Sequence, residues 1–244
     1  MDNLNTSFGN KKVTKSQKTI LVQKVFNKVA KKYDLMNDLM SFGTHRLWKK
    51  RLVELINIQN NQKILDIGSG TGDVGIKIAK QKKSVEIFLG DLNLSMLQIG
   101  KKKNNNEKNV YWINMNAENL PFKNNYFDKC IMSFCLRNIT DMDKALNESI
   151  RVVKSGGEFF CLEFSKINMP IIKYIYEKYK NKIIPLLGKY INNKEEAYKY
   201  LAESIGTFPN QDILCKKLID IGYVNVSYYN LFNGIVAIHK AWKI

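Results

Sequence analysis

The sequence predicts an α/β fold with a mostly parallel seven-stranded sheet, a C-terminal antiparallel hairpin and helical cover. Three features predict it. Short apolar runs alternate with helical patterns from residue 63 onward, a glycine-rich turn follows the first run, and the last two runs meet at Asn233-Gly234. Alternating strands and helices imply parallel strands joined by crossovers, and an Asn-Gly turn favours a hairpin.

The first 56 residues predict a helical N-terminal cap. Residues 1–13 are polar and are expected to fray, after which apolar residues recur at helical spacing over 20–32. A second amphipathic stretch covers residues 46–56, and a break is expected around residues 40–43.

Residues 57–244 predict one α/β domain, with no internal repeat and no second core. Strands are predicted at 63–68, 85–89, 110–115, 127–134, 157–164, 223–229 and 234–242. Helices are predicted around 76–79 and over 95–103, 143–153 and 210–221. A helical cover at about 165–206, broken by Pro170, Pro185 and Gly188, interrupts the alternation.

Composition excludes several classes of protein. With 244 residues, 45% of them hydrophobic, the chain can bury a core, which excludes disorder and disulfide-stapled miniproteins. No apolar stretch is long enough to span a membrane, and the first residues lack a signal-peptide pattern. The four cysteines follow no metal-ligand spacing: Cys130, Cys135, Cys161 and Cys215. They are interpreted as reduced, buried thiols of a protein in a cytosol-like compartment.

The chain is strongly basic, with 39 Lys and Arg against 22 Asp and Glu and a formal net charge of +17. Nucleic acid, an anionic membrane surface and compositional drift are the alternatives. Almost all of the positive charge is lysine. Each arginine therefore indicates a position that needs a planar, bidentate donor: Arg46, Arg51, Arg137 and Arg151.

The stretch from Asp66 to Asp73 predicts a nucleotide cofactor site. Glycines at 68, 70 and 72 allow a tight turn after the first strand of the α/β domain, with backbone close to a ligand. A dinucleotide fingerprint would have glycine at position 73, where this chain has Asp73. Asp66 and Asp73 repel phosphate but suit a sulfonium and an ammonium group. We therefore expect S-adenosylmethionine (AdoMet), contacted by Asp66, Gly68 and Gly70.

Two further strand ends support that expectation. Asp91 ends the second strand of the domain, about twenty residues after the glycines, where a carboxylate can accept both ribose hydroxyls. Asn116, Ala117 and Glu118 follow the third strand and are placed to contact an adenine edge.

Several longer stretches resemble the ubiquinone/menaquinone biosynthesis C-methyltransferase family. They are residues 25–49, SFCLRN at 133–138, LEFS at 162–165, YLAESI at 200–205 and NLFNGIVAIH at 230–239. The resemblance implies a class I AdoMet methyltransferase (Rossmann-like) fold and methylation of a polyprenylated benzoquinol, a demethylmenaquinol or both. It implies cofactor contacts at Thr71, Asp91, Asn116, Ala117 and Ser133. The family commonly has glycine in place of Cys135, which is expected to narrow the pocket.

Arg137 is the expected catalytic residue, because it follows the fourth strand of the domain and faces the substrate side. Its pKa is too high for a general base, so we expect it to stabilise the developing phenolate. A purely structural salt bridge is the alternative. Tyr33, Asp34 and Asn37, expected at a helical break, are expected to bind quinol oxygens or close the cofactor pocket, with a capping turn as the alternative. Glu163 is expected to orient Arg137 or the substrate, or else to cap the following turn. His45 is expected to serve a helix start, with a role as catalytic base as the alternative.

Two other functions compete with this one. The basic charge suggests an RNA methyltransferase, but Ser133-Phe134-Cys135-Leu136 stands where base-flipping enzymes carry an Asn/Asp-Pro-Pro-aromatic turn. A noncatalytic AdoMet-binding regulator is the second alternative.

The expected partner, besides the quinol, is an anionic membrane surface, with the enzyme cytoplasmic and peripheral to the inner membrane. Nucleic acid is not expected. A homodimer and contacts with other quinone-biosynthesis enzymes are left open.

Overall fold

The computed structural model describes residues 6–30, 33–167, 169–179 and 195–244. Its strands are β1 (Thr6–Phe8), β2 (Lys11–Val13), β3 (Lys63–Ile67), β4 (Glu86–Asp91), β5 (Val110–Asn114), β6 (Phe127–Ser133), β7 (Val153–Phe164), β8 (Val224–Leu231) and β9 (Val236–Trp242). Its helices are α1 (Lys15–Val29), α2 (Tyr33–Ser41), α3 (His45–Ile56), α4 (Asp73–Gln81), α5 (Leu94–Lys103), α6 (Met142–Val152), α7 (Pro170–Lys178), α8 (Glu195–Thr207) and α9 (Gln211–Asp220).

The N-terminal strands correct one expectation. Residues 6–13 form an antiparallel hairpin where the sequence predicted frayed chain. The Phe8 ring stacks on Tyr200 with centroids 4.1 Å apart, and the Asn10 N–H donates to the Glu203 carboxylate at 3.2 Å. Polar composition concealed this hairpin because its stability comes from contacts with α8, nearly two hundred residues away in sequence.

Three helices make up the rest of the cap. A capping box begins α1, in which the Thr14 hydroxyl accepts from the Gln17 N–H and the Gln17 side chain accepts from the Thr14 N–H. Tyr33, Asp34 and Asn37, expected at a helical break, lie instead in a helix of their own, α2. The predicted break at residues 40–43 overlaps the end of α2 and the turn before α3, where Phe42 and Gly43 have positive φ angles.

Seven strands form the central sheet in the spatial order β5-β4-β3-β6-β7-β9-β8. Neighbouring strands from β5 to β7 pair in parallel. The C-terminal hairpin has the predicted position at one edge, but β9 lies inside β8. Because β9 is antiparallel to both β7 and β8, it alone runs against the rest of the sheet.

Helices cover both faces of the sheet with separate apolar layers. One layer packs α3 and α4 against β3 and β4 and includes Trp48, Leu52, Ile64 and Ile78. The other packs α6 and α9 against the opposite face and includes Leu65, Ile67 and Phe159. Side chains alternate along β3, so Asp66 shares the face of Ile64, beneath α4.

The predicted cover at 165–206 is described in part. Helices α7 and α8 lie within it, and the predictions at residues 180–194, including the breaks at Pro185 and Gly188, lie outside the described residues. No described helix combines the length and apolar character needed to cross a bilayer.

Candidate active site

The glycine-rich turn after β3 approaches its neighbours closely. Gly68 and Gly70 have φ angles of +68° and +58°, which L side chains rarely adopt. A Cβ at Gly68 would lie 2.5 Å from the Cβ of Cys135. The Gly70 N–H donates to the Asp91 carboxylate at 2.8 Å, which ties the turn to the end of β4. Backbone therefore lines the cavity above the sheet.

That cavity lies at the carboxyl ends of β3, β4 and β5. It brings together five of the residues predicted to bind the cofactor: Gly68, Gly70, Asp91, Asn116 and Ala117. Met115, Phe134 and Cys135 add apolar surface, and α1 closes the opposite side with Thr19, Val22, Gln23 and Phe26. We name it the nucleoside cavity.

Two backbone N–H groups orient Asp91 in the nucleoside cavity. Besides Gly70, the Asn93 N–H donates to the second carboxylate oxygen at 2.7 Å. Burial raises the pKa of Asp91. Each oxygen keeps a second lone pair, so the carboxylate is fixed in place with acceptor capacity for a pair of hydroxyls.

A smaller cavity adjoins the nucleoside cavity, with which it shares Tyr33, Gly68 and Phe134. It contains the other three predicted cofactor residues, Asp66, Thr71 and Ser133, together with Lys49, Ser69 and Asp73. We name it the polar cavity. The hydroxyls of Ser69 and Ser133 are buried and have no hydrogen-bond partner among the described residues.

The two aspartates of the polar cavity have different partners: Asp73 pairs with a lysine, and Asp66 accepts from a backbone N–H. The Lys49 ammonium donates to the Asp73 carboxylate at 2.7 Å, and only 10% of the Lys49 side chain is exposed. Asp66 accepts one hydrogen bond, from the Gly75 N–H at 3.2 Å. Burial raises the pKa of Asp66 to about 7, because desolvation outweighs the Gly75 hydrogen bond and the attraction of Lys49.

A third cavity lies beyond the polar cavity and shares Lys49 and Phe134 with it. We name it the Arg137 cavity. Its other lining residues are Asn37, Ser41, His45, Trp48, Arg137 and Phe164. It joins aromatic surface to buried polar groups, as a binding site for an oxygenated ring would require.

Arg137 is held rigidly at the wall of this cavity. Its Nη1 donates to Glu163 at 2.6 Å and to the Phe134 carbonyl at 2.8 Å. The guanidinium carbon lies 5.3 Å from the centroid of the Phe164 ring. The Nε hydrogen has no partner among the described residues. A buried, oriented cation with a free donor is suited to an oxyanion.

The three predicted residues of α2 are not brought together. Tyr33 lines the nucleoside and polar cavities, and its hydroxyl hydrogen-bonds Asn37, which lines the Arg137 cavity. Asp34 lines none of the three cavities and pairs instead with Lys103 at 2.8 Å. One oxygen of Asp34 therefore links α2 to α5, while Oδ1 is buried with no partner among the described residues. The expected role of Asp34 stays a prediction.

His45 begins α3, as the sequence predicts, but its ring is also buried in the Arg137 cavity. Its Nε2 is 2.9 Å from the Asp38 carboxylate, and Nδ1 has no partner among the described residues. The carboxylate fixes the tautomer with hydrogen on Nε2. Burial lowers the pKa of His45 despite the Asp38 hydrogen bond, so Nδ1 is a free acceptor at neutral pH.

Sequence reasoning missed the contacts that hold α1 over the nucleoside cavity. The Asn93 amide donates to the side chains of Gln23 and Asn27 at 2.9 and 2.8 Å. At the start of α1, Thr19 and Lys18 bond the loop at residues 139–140. The only sign of these contacts in the sequence is that uncharged polar residues, Thr19, Gln23 and Asn27, lie between the apolar residues of α1.

These groups fit AdoMet by their chemistry. The fixed Asp91 carboxylate suits vicinal ribose hydroxyls, and the Gly68 and Gly70 backbone leaves the space that a Cβ would fill. Asp66 suits an ammonium group, and the hydroxyls of Ser69 and Ser133, which no described residue bonds, suit polar atoms of a ligand. The individual contacts stay predictions.

Comparison with known proteins supports the same reading. Residues 11–243 match the model of the ubiE/COQ5 methyltransferase family. Ubiquinone/menaquinone biosynthesis C-methyltransferase UbiE of Pasteurella multocida is 47% identical over 242 residues, which cover 98% of this chain and 90% of the relative. UbiE of Rickettsia prowazekii is 46% identical over 248 residues, 98% of this chain and 99% of the relative.

Solved structures agree on the fold. A SAM-dependent methyltransferase from Thermotoga maritima aligns with a TM-score of 0.66 at 18% identity, covering 91% of this chain and 100% of that one. Another from Aquifex aeolicus aligns with a TM-score of 0.63 at 16% identity, covering 89% and 98%. At such low identity these structures establish the fold alone, which is the class I methyltransferase fold expected from the sequence.

Proposed function

Because this chain belongs to the ubiE/COQ5 methyltransferase family, we propose that it methylates a ring carbon of a polyprenylated quinol. The substrate is 2-polyprenyl-6-methoxy-1,4-benzoquinol, demethylmenaquinol or both. The chain is an AdoMet-dependent C-methyltransferase of ubiquinone or menaquinone biosynthesis. The observation that carries the proposal is the chain of adjoining cavities, which runs from Asp91 to Arg137 through the shared residues Gly68, Phe134 and Lys49.

The bound AdoMet supplies an electrophilic methyl group on a sulfonium. The protein must hold a quinol ring carbon in line with it, at about 3–3.5 Å, and such positioning accounts for much of the acceleration. Phe134 belongs to all three cavities and is therefore a suitable surface for the ring at the junction. Tyr33 and Asn37 are suitable partners for quinol oxygens on the α2 side.

Arg137 stabilises the negative charge that makes the ring carbon nucleophilic. A quinol carbon gains electron density when the adjacent hydroxyl loses its proton, and a fixed guanidinium stabilises the resulting phenolate. Glu163 holds the guanidinium in position and partly offsets its charge. Burial on its own would favour neutral arginine, but Glu163 keeps the pKa of Arg137 raised, so Arg137 stays cationic.

We assign the hydroxyl proton to His45 Nδ1. Asp38 stabilises the imidazolium that forms, through its hydrogen bond to Nε2. After the ring carbon has gained the methyl group, it loses its hydrogen as a proton while the phenolic oxygen regains one. The methylated quinol is restored and one proton is released in each turnover.

RNA methylation is not favoured. The two relatives described above, which match 98% of this chain, are quinone-biosynthesis enzymes, and Phe134 and Cys135 stand where a base-gripping Pro-Pro turn would be. The test is incubation with methyl-labelled AdoMet and either a reduced prenyl quinol or bulk RNA. Label in the quinol alone supports the proposal. Label in RNA alone would refute it.

Docking on an anionic bilayer is the finer part of the proposal. Apolar side chains are exposed after α2, on α7 and in the C-terminal hairpin: Phe42, Ile171, Tyr174 and Phe232. Phe232 contacts Trp48 with ring centroids 5.9 Å apart, and Phe42 contacts Tyr179 at 4.9 Å. Lys178 lies against the Tyr174 ring. Exposed aromatic and aliphatic residues beside lysines are typical of interfacial segments, and a prenyl quinol resides in the bilayer.

The docking is tested by sedimentation with anionic and neutral liposomes. We expect binding to anionic liposomes that weakens with salt, and weaker binding after substitution of Ile171 and Tyr174 by serine. Ile219 on α9 is equally apolar and 57% exposed, so Ile219→Ser is the matched control. Equal binding by all three proteins would contradict docking through α7.

A further inference from the structure

The buried ammonium group of Lys49 has no role in the proposed methyl transfer. Its ammonium lies in the wall common to the polar cavity and the Arg137 cavity. The Lys49 side chain is 10% exposed and has one recorded hydrogen bond, to Asp73 at 2.7 Å. An ammonium group has three donors. Among the described residues, two of the Lys49 donors therefore have no recorded acceptor.

The polar cavity contains a cationic group, Lys49, and an acidic group, Asp66, that come from different elements. Asp66 lies at the base of the polar cavity, beneath α4, whereas Lys49 comes from α3 at its wall. The buried hydroxyls of Ser69 and Ser133 have no partner among the described residues. One cavity therefore holds an acceptor suited to an ammonium group, and an ammonium and two hydroxyls suited to a carboxylate.

The polar cavity also adjoins the nucleoside cavity, where the ribose of the cofactor is expected. It joins the nucleoside cavity at Gly68, so a ligand whose ribose is held at Asp91 extends its other end toward Lys49. The other end of AdoMet is an α-amino acid, which carries one ammonium and one carboxylate.

We propose that Lys49 binds the α-carboxylate of the cofactor and makes the enzyme selective for a carboxylated ligand. This inference rests on the proposed use of AdoMet. Asp73 holds the Lys49 ammonium at the cavity wall, and Ser69 and Ser133 complete the set of donors. A purely structural Lys49–Asp73 ion pair would stabilise the fold without distinguishing carboxylated from decarboxylated ligands.

Titration calorimetry tests the proposal with two probes, AdoMet and decarboxylated AdoMet, which differ only in the carboxylate. A charge-assisted hydrogen bond corresponds to about ten-fold or more in affinity. We expect the unmodified protein to prefer AdoMet by at least that factor. Lys49→Met is expected to bind both probes with nearly equal affinity. Lys49→Arg, which keeps a cation, is expected to retain most of the preference.

The matched control is Lys50→Met, which removes the same charge from the adjacent, exposed position. It is expected to keep the full preference. An undiminished preference in Lys49→Met, or an equal weakening of both probes, would overturn the proposal. The unmodified protein provides a check without any substitution, because equal affinity for the two probes would also overturn it. If the unmodified protein binds both probes equally but still methylates quinol with AdoMet, the proposed role of Lys49 is wrong and the proposed function is unaffected.

Discussion

The Arg137 guanidinium donates to the Glu163 carboxylate at 2.6 Å, with 5% and 1% of the two side chains exposed. A buried ion pair adds little net stability, because desolvation offsets the attraction between the charges. Its value here is orientation. Glu163 and the Phe134 carbonyl both receive hydrogen bonds from Nη1, while Nε has no partner in the part of the chain that the structure describes.

Substitution of Arg137 by lysine keeps the positive charge but removes the planar fork. We expect kcat to fall about 100-fold or more, because one donor to a developing oxyanion typically contributes that much. The AdoMet affinity should stay within about two-fold, measured by calorimetry. Arg151→Lys is the matched control, since Arg151 also pairs with a glutamate, Glu148, but lines none of the three cavities. Loss of AdoMet binding in Arg137→Lys would remove the assigned role.

Substitution of Asp91 by alanine should weaken AdoMet binding first. The variant loses the carboxylate expected to accept the ribose hydroxyls, together with its hold on the Gly70 N–H. We expect a 10- to 100-fold weaker Kd, on the order of one or two charge-assisted hydrogen bonds. Asp128→Ala is the control, because Asp128 also accepts a backbone N–H, from Lys63, but at the opposite end of β3. Unchanged affinity in Asp91→Ala would show that the ribose is held elsewhere.

Asp66 should release a proton when AdoMet binds. Its pKa is raised to about 7, so about half of the molecules carry the proton at pH 7. An ammonium group beside Asp66 would favour the carboxylate and lower that pKa. Calorimetry in buffers of different ionisation enthalpy should therefore show release of up to about half a proton at pH 7, and little release with Asp66→Asn. Proton uptake would contradict an ammonium at this position.

The same shift has a consequence for stability without ligand. The folded pKa of Asp66 is about 7, above the 3.8 of an unperturbed aspartate. The folded state therefore favours the protonated form. The contribution to stability is greatest below pH 3.8 and is lost as the pH rises toward 7. Denaturant titrations should show a smaller decrease over this window for Asp66→Asn than for the unmodified protein.

Most of the fold and much of the site could be predicted from the sequence, for local reasons. The parallel strands follow from apolar runs, and the cofactor residues cluster because parallel strands end at one edge of a sheet. The prediction of a bidentate donor is met at Arg46 and Arg151, which make two-pronged contacts with Asp38 and Glu148. Arg137 differs, because its contacts with Glu163 and the Phe134 carbonyl both come from Nη1. Arg51 differs as well, with one exposed contact to Glu54.

The remaining features depend on contacts between distant segments. The hairpin at residues 6–13 forms against α8, and Asp34 turns to Lys103 on α5 because no local pattern determines which face of α2 meets the cavities. In a lysine-rich chain, the sequence does not distinguish Lys49 from the surface lysines. Its burial beside Asp73 follows from the packing of α3 on α4, and no spacing in the sequence indicates that packing.

His45→Gln tests the proton acceptor. Glutamine can keep the hydrogen bond to Asp38 but has no basic nitrogen in place of Nδ1. We expect kcat to fall by about 100-fold or more, the usual contribution of a general base. Burial lowers the pKa of His45 below 6.5 while Asp38 and Asp73 oppose that shift. The activity of the unmodified enzyme should therefore decline as the pH falls through that lowered value, and the variant should lack the decline. A variant with a normal rate and pH profile would assign the proton to another group.

Gly68→Ala should disable the cofactor site through two separable effects. A left-handed φ of +68° costs about 1–2 kcal/mol for an L side chain, and the new Cβ would lie 2.5 Å from the Cys135 Cβ. Gly156→Ala isolates the first effect, since Gly156 has a φ of +77° and open space around it. We expect Gly68→Ala to unfold at lower denaturant than Gly156→Ala and to bind AdoMet more weakly.

The second effect should be relieved by Cys135→Gly, which removes the contacting atoms. The double variant is expected to recover the packing cost while keeping the backbone cost, so the two substitutions should be non-additive by about 1–3 kcal/mol in a double-mutant cycle. Additive effects would show that the Gly68 turn and the SFCLRN segment do not meet as described. Cys135→Gly alone should also widen the nucleoside cavity beside Phe134, whose ring lines the Arg137 cavity as well. A changed preference among quinols of different size would show that this cysteine acts on substrate selection through Phe134.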